Sequence, residues 1–410
     1  MWDLHLVHVL TAKMLRVNSQ ALKARVHQVE RALHDRGLEA LVLYANGSVL
    51  GNQSFMHAYL RYLCNFDGHN TPAMLIVQPG KAPTLLTGNK PHMRAHLAER
   101  NLWFDDVRHV QPPRLGDEIV SILAVAGRGA RRIAYMGYNE TPAPVWKSLE
   151  QGLPRTEWIH DFAPDIDKCR VRKTAVEMSF HRRAAEVCDA MFETLAREVA
   201  TGKHGYRLKA AMEHTARDSG CDYCDTWLTL APRADVFRYY MDECFNAPQA
   251  GDQLLAGVLL TYDGHWGHSV RTGSIGRATA DHRRIYGICR DMYEAALERL
   301  RPGEDLRGVN AAMDDILHRH YAEHEVRRSR SGHGLGYAYE DPVVSLAFAN
   351  PWDSPAATRG PIEIKPGMLM ELHPHLFVPN VAGAMIGDMV AVTETGYEIL
   401  TAFPRDLITW

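Results

Sequence analysis

Imidazoles and carboxylates stand in this chain inside apolar or glycine-rich runs, where acid–base or ligand chemistry needs them. His333 sits between glycines in Ser331-Gly332-His333-Gly334-Leu335-Gly336. Its ring titrates near neutrality and suits proton transfer; taken alone, it equally suits a hydrogen-bonded core histidine. Glu371 interrupts the apolar run from Met368 to Leu372, where a carboxylate needs a partner or a function. His268 lies in His265-Trp266-Gly267-His268, and a strand directs residues three apart to opposite faces. His373 and His375 follow Glu371, and each suits either the surface or a supporting role beside a site. Tyr239 or Tyr240 offers a phenol as acid or oxyanion donor. Cys221 and Cys224 form a CxxC, but no second pair completes a zinc site, so the pair reads as structural.

These residues need elements to hold them. Leu22, Val26, Val29 and Leu33 recur at helical spacing, with Gly37 where a C-terminal cap belongs. Short apolar runs at 38–44, 73–77, 84–87 and 132–136 predict strands, the middle two joined through Pro79-Gly80. A small α/β domain over 1–163 follows, ending in the polar segment Asp161 to Asp167. Beyond it, Ala184, Cys188, Met191, Phe192, Leu195 and Val199 form one amphipathic stripe. Ile285, Ile288, Cys289, Met292, Ala296 and Leu300 form a second, closed by Pro302-Gly303. Strand-like runs at 253–262, 367–372 and 389–393 lie between and beyond. Helices flanking a largely antiparallel sheet predict an α+β domain over 164–410.

Composition narrows the function classes. The 410 residues are 46% hydrophobic and 23% charged, with a formal charge of −3, so nothing steers the chain toward nucleic acid. No run approaches the ~20 apolar residues of a membrane span. The apolar start from Met1 to Leu15 is broken by Asp3, His5 and His8, unlike a signal peptide. Seven scattered cysteines suit a reducing compartment, and the expected location is cytoplasmic.

Five motifs in order carry a resemblance. Arg170-Val171-Arg172-Lys173-Thr174 with Glu177, and Ala250-Gly251-Asp252 leading to Gly264-His265-Trp266-Gly267-His268-Ser269-Val270-Arg271-Thr272, come first. The glycine-flanked His333 with Glu340-Asp341-Pro342, Lys365-Pro366-Gly367-Met368 with Glu371, and Met385-Ile386-Gly387-Asp388 with Val392-Thr393 follow. From about residue 20 onward the chain resembles the creatinase and aminopeptidase P superfamily. The resemblance implies a pita-bread catalytic domain behind a smaller N-terminal domain. It also implies a homodimer in which a partner's N-domain loop reaches the site. Here that loop corresponds to 62–71, so Phe66 and His69 are candidate substrate contacts.

Metallopeptidases of this fold hold two ions with two Asp, one His and two Glu. By that resemblance the ligand positions here are Gly257, His268, His333, Glu371 and Gly387. One carboxylate then stands where four belong, too little charge for two dications. Asp263, His265, His373, His375 and Asp388 are the neighbours from which a single-ion site could be rebuilt. Counting charges nevertheless leads to the expectation of no metal and no cofactor.

Creatinase and ectoine hydrolase use the same scaffold without metal, by general acid–base chemistry. The corresponding reading is a metal-independent hydrolase of a C–N bond in a small polar or zwitterionic metabolite. Its catalytic candidates are His333, Glu371, His268 and Tyr240. Its substrate-binding candidates are His265, Asp263, Tyr339, Glu340, His373, Phe66 and His69. Creatine itself is a poor substrate candidate, because Val270 and Gly387 replace creatinase's binding glutamate and a further histidine. Two alternatives stand beside it. One is a metal-dependent Xaa-Pro peptidase or a relative of the dimethylsulfoniopropionate lyase; the other is a non-catalytic ligand-binding homologue.

Overall fold

The computed structural model describes residues 18–48, 55–88, 103–124, 131–200, 202–236, 245–327, 331–339 and 361–410. Tyr240 and Glu340, both candidate site residues, lie outside the described residues. The chain forms two compact units: residues 1–170 with 337–339, and 171–336 with 340–410. The division falls at the end of a helix that begins at Ala163. Among the described residues, no helix is long and apolar enough to cross a membrane.

The first unit carries helix α1 (Ser19–Asp35), capped where the Asn18 side chain accepts the Ala21 N–H at 2.8 Å. The predicted apolar stripe is its buried face. Gly37 then takes φ +62°, the left-handed turn that lets the chain reverse into the sheet. Six strands follow: β1 (Ala40–Ala45), β2 (Ala73–Val77), β3 (Thr84–Thr87), β4 (Val107–His109), β5 (Arg131–Met136) and β6 (Thr156–Ile159). They pair in the order β4-β3-β2-β1-β5-β6. Strands β1 and β2 are apolar at every position, as strands buried on both faces must be. The segment Tyr62–Cys64, read as part of a loop, is instead the last turn of helix α2 (Met56–Cys64).

The second unit opens with helix α3 (Ala175–Val199). Thr174 and Glu177 close a reciprocal capping box at its start, and the amphipathic stripe predicted for it is buried. A sheet follows from β7 (Tyr223–Ala231), β8 (Gln253–Tyr262), β9 (His265–Ser274) and, at its edge, β16 (Ile408–Thr409). Strands β8 and β9 form a hairpin through Asp263 and Gly264, at φ 44° and 72°. Two successive positive φ values match the right-handed twist of the flanking strands, and an Asp-Gly pair tolerates them. Helix α4 (Ala280–Arg299) is the second predicted amphipathic helix, and α5 (Leu306–His318) packs beside it.

A second four-stranded sheet, β10-β11-β14-β15, comprises β10 (Gly332–Gly334), β11 (Leu369–Leu372), β14 (Asp388–Val392) and β15 (Tyr397–Ile399). Strands β12 (His375–Val378) and β13 (Ala382–Met385) form a separate hairpin. Paired backbone bonds between Val270 and Gly387 join β9 to the chain entering β14. Helices set against antiparallel sheets give the expected α+β class.

Beside that junction lies a buried ion pair. Arg271 Nη2 donates to Asp388 Oδ1 at 2.7 Å, and both residues are sealed from water. Arg271 spends its other donors on the carbonyls of Gly387, Val270, Phe403 and Pro404 and on Ser269 Oγ. Asp388 also accepts from Tyr293 Oη at 2.7 Å and Thr401 Oγ1 at 2.6 Å. Every charge here has partners, so removing one partner strands the other. We predict that Asp388→Ala lowers stability by about 3–5 kcal/mol, measured by chemical denaturation; a loss below ~1 kcal/mol would show that the pair does not clamp the junction.

Candidate metal centre

Strand register brings the site together. His333 on β10 lies directly opposite Glu371 on β11, and cross-strand partners share a face. His373 follows Glu371 by two residues, and its N–H bonds the Ser331 carbonyl at 2.9 Å, continuing the extended pairing. His268 enters from β9, held close by the Val270–Gly387 junction. The four side chains are buried, and one ligand atom from each lies within 4.8 Å of all the others.

Glu371 is the centre of this group. Its Oε2 is 2.7 Å from His268 Nδ1, 2.9 Å from His373 Nε2 and 3.4 Å from His333 Nε2. These contacts are short but poorly aligned, and neither Glu371 oxygen accepts a hydrogen bond among the described residues. Burial pushes the Glu371 pKa up, but the adjacent imidazoles of His268 and His373 pull it down by more. The carboxyl is therefore held well below the usual carboxylate range, ionised.

His333 adds a tautomer argument. Its Nδ1 is 3.0 Å from the Gly334 carbonyl, which can only accept, so Nδ1 carries the proton. In the neutral ring, Nε2 then turns its lone pair toward Glu371, 3.4 Å away, and a proton or a metal ion between the two satisfies both. A metal-binding histidine is usually oriented by such a bond from its other nitrogen.

The structure separates the remaining candidates. His265 faces away from the group: its ring stacks on Phe180 at 4.7 Å, and its Nδ1 is 2.9 Å from the Asp263 carbonyl. Asp263 forms the hairpin turn. His375 begins β12, with its ring 4.8 Å from that of His373. Phe66, His69 and Tyr339 belong to the first unit. Phe66 is buried in that unit's core, and His69 takes a positive φ of 56°. The CxxC holds no cluster: Cys221 is buried, with its thiol pushed up to about 12, and Cys224 Sγ lies 3.7 Å from the Glu213 carbonyl.

Residues 179–394, more than half of the chain, match the model of metallopeptidase family M24. The chain belongs to metallopeptidase family M24. It is 22% identical over 376 residues to the uncharacterized peptidase YqhT of Bacillus subtilis, covering 91% of this chain and 96% of that one. It is also 22% identical to an Xaa-Pro dipeptidase of Lactobacillus helveticus, over 64% of this chain and 68% of that protein. The solved prolidase of Thermococcus sibiricus superposes with a TM-score of 0.77 at 19% identity, covering 95% of this chain and 99% of that one. The architecture is thus the pita-bread fold, with an N-terminal domain before the catalytic domain.

Membership in an M24 metallopeptidase family, together with the His268–His333–Glu371–His373 group, overturns the expectation of a metal-independent enzyme. The donors fit a metal ion. Three imidazoles and one carboxylate are a common transition-metal ligand set. Ligands about 2.0–2.2 Å from an ion are at most ~4.4 Å apart, so small side-chain shifts close this group. The expectation of no metal failed because it counted only lost carboxylates, whereas His373 places a further imidazole beside Glu371. Alternation along the strand was the available signal: residues 371 and 373 share a face.

Gly387 makes room for this arrangement. A Cβ there would lie 2.5 Å from Val270 Cγ2, 2.7 Å from Glu371 Oε1 and 2.8 Å from His373 Cβ. We predict that Gly387→Ala destabilises the protein by about 1–3 kcal/mol through overpacking, measured by chemical denaturation; unchanged stability would show that the β9–β14 junction yields freely.

Proposed function

We propose that the protein is a metal-dependent hydrolase of peptide C–N bonds in small substrates of the Xaa-Pro type. The observation that carries this reading is the buried Glu371 surrounded by three imidazoles, on a chain that belongs to a metallopeptidase family. The Xaa-Pro dipeptidase of Lactobacillus helveticus supports the substrate class.

In this reading His268, His333, Glu371 and His373 are the ligands. Glu371 supplies the negative charge, and the bond from His333 Nδ1 to the Gly334 carbonyl keeps Nε2 turned toward the group. A bound ion supplies Lewis-acid polarisation of the scissile carbonyl and a lowered pKa for water. The apolar surroundings, notably Val270, restrict water at the ligands and strengthen every charge interaction there.

The experiment is hydrolysis of a panel of Xaa-Pro and non-proline dipeptides before and after chelation. We predict loss of turnover on metal removal, recovery with a first-row transition metal, and a fall on the order of 100-fold or more in His333→Ala. Undiminished turnover in fully metal-stripped protein would overturn the metal dependence. Hydrolysis confined to non-proline substrates would overturn the Xaa-Pro class.

A further inference from the structure

Two glycines flank the ligand group, and larger side chains from neighbouring strands occupy the space beside each. Gly257 lies on β8 opposite Trp227 on one side and Val270 on the other. A Cβ at Gly257 would lie 2.7 Å from Trp227 Cε3 and 3.1 Å from Val270 Cγ1. The Trp227 ring also stands edge-on to His268, with centroids 5.0 Å apart. On the other side, Val270 and His373 crowd Gly387. Among the described residues, indole and valine side chains occupy the space beside these glycines.

We propose that this site holds a single transition-metal ion through His268, His333, Glu371 and His373, and that Trp227 and Val270 close the space a second ion would need. The proposal rests on the metal-dependent reading and deepens it. Paired ions ~3.5–4 Å apart need shared anionic ligands between them, and Glu371 is the only carboxylate in the group. Three neutral imidazoles with one carboxylate leave a dication with one net positive charge. That set favours imidazole-preferring ions such as zinc, iron or nickel over magnesium or calcium, which take oxygen ligands. Ligand atoms of His268, His333, Glu371 and His373 all lie within 4.8 Å of one another and converge on one point, an arrangement that a single ion fits.

The test is titration of metal-stripped full-length protein with Co(II), followed by visible absorption and calorimetry, with Mg(II) as the oxygen-preferring control. The expected result is a break at one equivalent, a Co(II) spectrum of mixed nitrogen and oxygen ligation, and no heat from Mg(II). Glu371→Gln, nearly isosteric, is expected to weaken Co(II) binding at least ~100-fold. Melting of the stripped proteins checks the fold, and His373→Gln provides a second variant with the same expected loss. Two equivalents, no binding, or an unchanged spectrum in both variants would overturn the proposal. Two bound ions with metal-dependent peptide hydrolysis would leave the functional reading standing while the single-ion inference fails. One ion without any hydrolysis would do the reverse.

Discussion

A carboxylate sealed from water must be answered by positive charge or by aligned hydrogen bonds, and Glu371 has no aligned hydrogen bond among the described residues. The contrast with Asp388 is informative, because Leu372, beside Glu371, pairs with Asp388 across β11 and β14. Asp388 is equally buried, yet Arg271, Tyr293 and Thr401 all donate to it. One carboxylate is a structural clamp, complete within the chain. The other is crowded by three ring nitrogens with poor alignment, which is the condition of a ligand set drawn up around an ion.

That constraint orders the surrounding structure. The β10–β11 register sets His333 opposite Glu371, and the Ser331–His373 bond carries the pairing on to His373. The Arg271–Asp388 clamp and the Val270–Gly387 bridge hold β9, and with it His268, against the same place. Gly387 is small because Val270, Glu371 and His373 converge on it.

Much of this was legible in the sequence. Periodicity located α1, α3 and α4, and the apolar runs at 73–77, 84–87 and 253–262 are strands with those bounds. His333, Glu371 and His268 stood out because each broke a pattern of glycine or apolar residues. What stayed hidden depended on contacts between distant segments. Trp227 lies far from Gly257 in sequence, and only strand pairing shows that its ring fills the space beside that glycine. His373 was read as a substrate contact because its role depends on the pairing of its backbone with Ser331. Counting carboxylates therefore pointed away from metal, although a histidine had supplied another donor.

The account turns on what meets the Glu371 charge. The most direct measurement is a crystal structure of the metal-loaded protein with anomalous diffraction collected at the metal edge. The account predicts one anomalous peak, bonded at about 2.0–2.2 Å to Glu371 and to the imidazoles of His268, His333 and His373. An empty group in fully loaded crystals, or two peaks with Trp227 displaced, would contradict it.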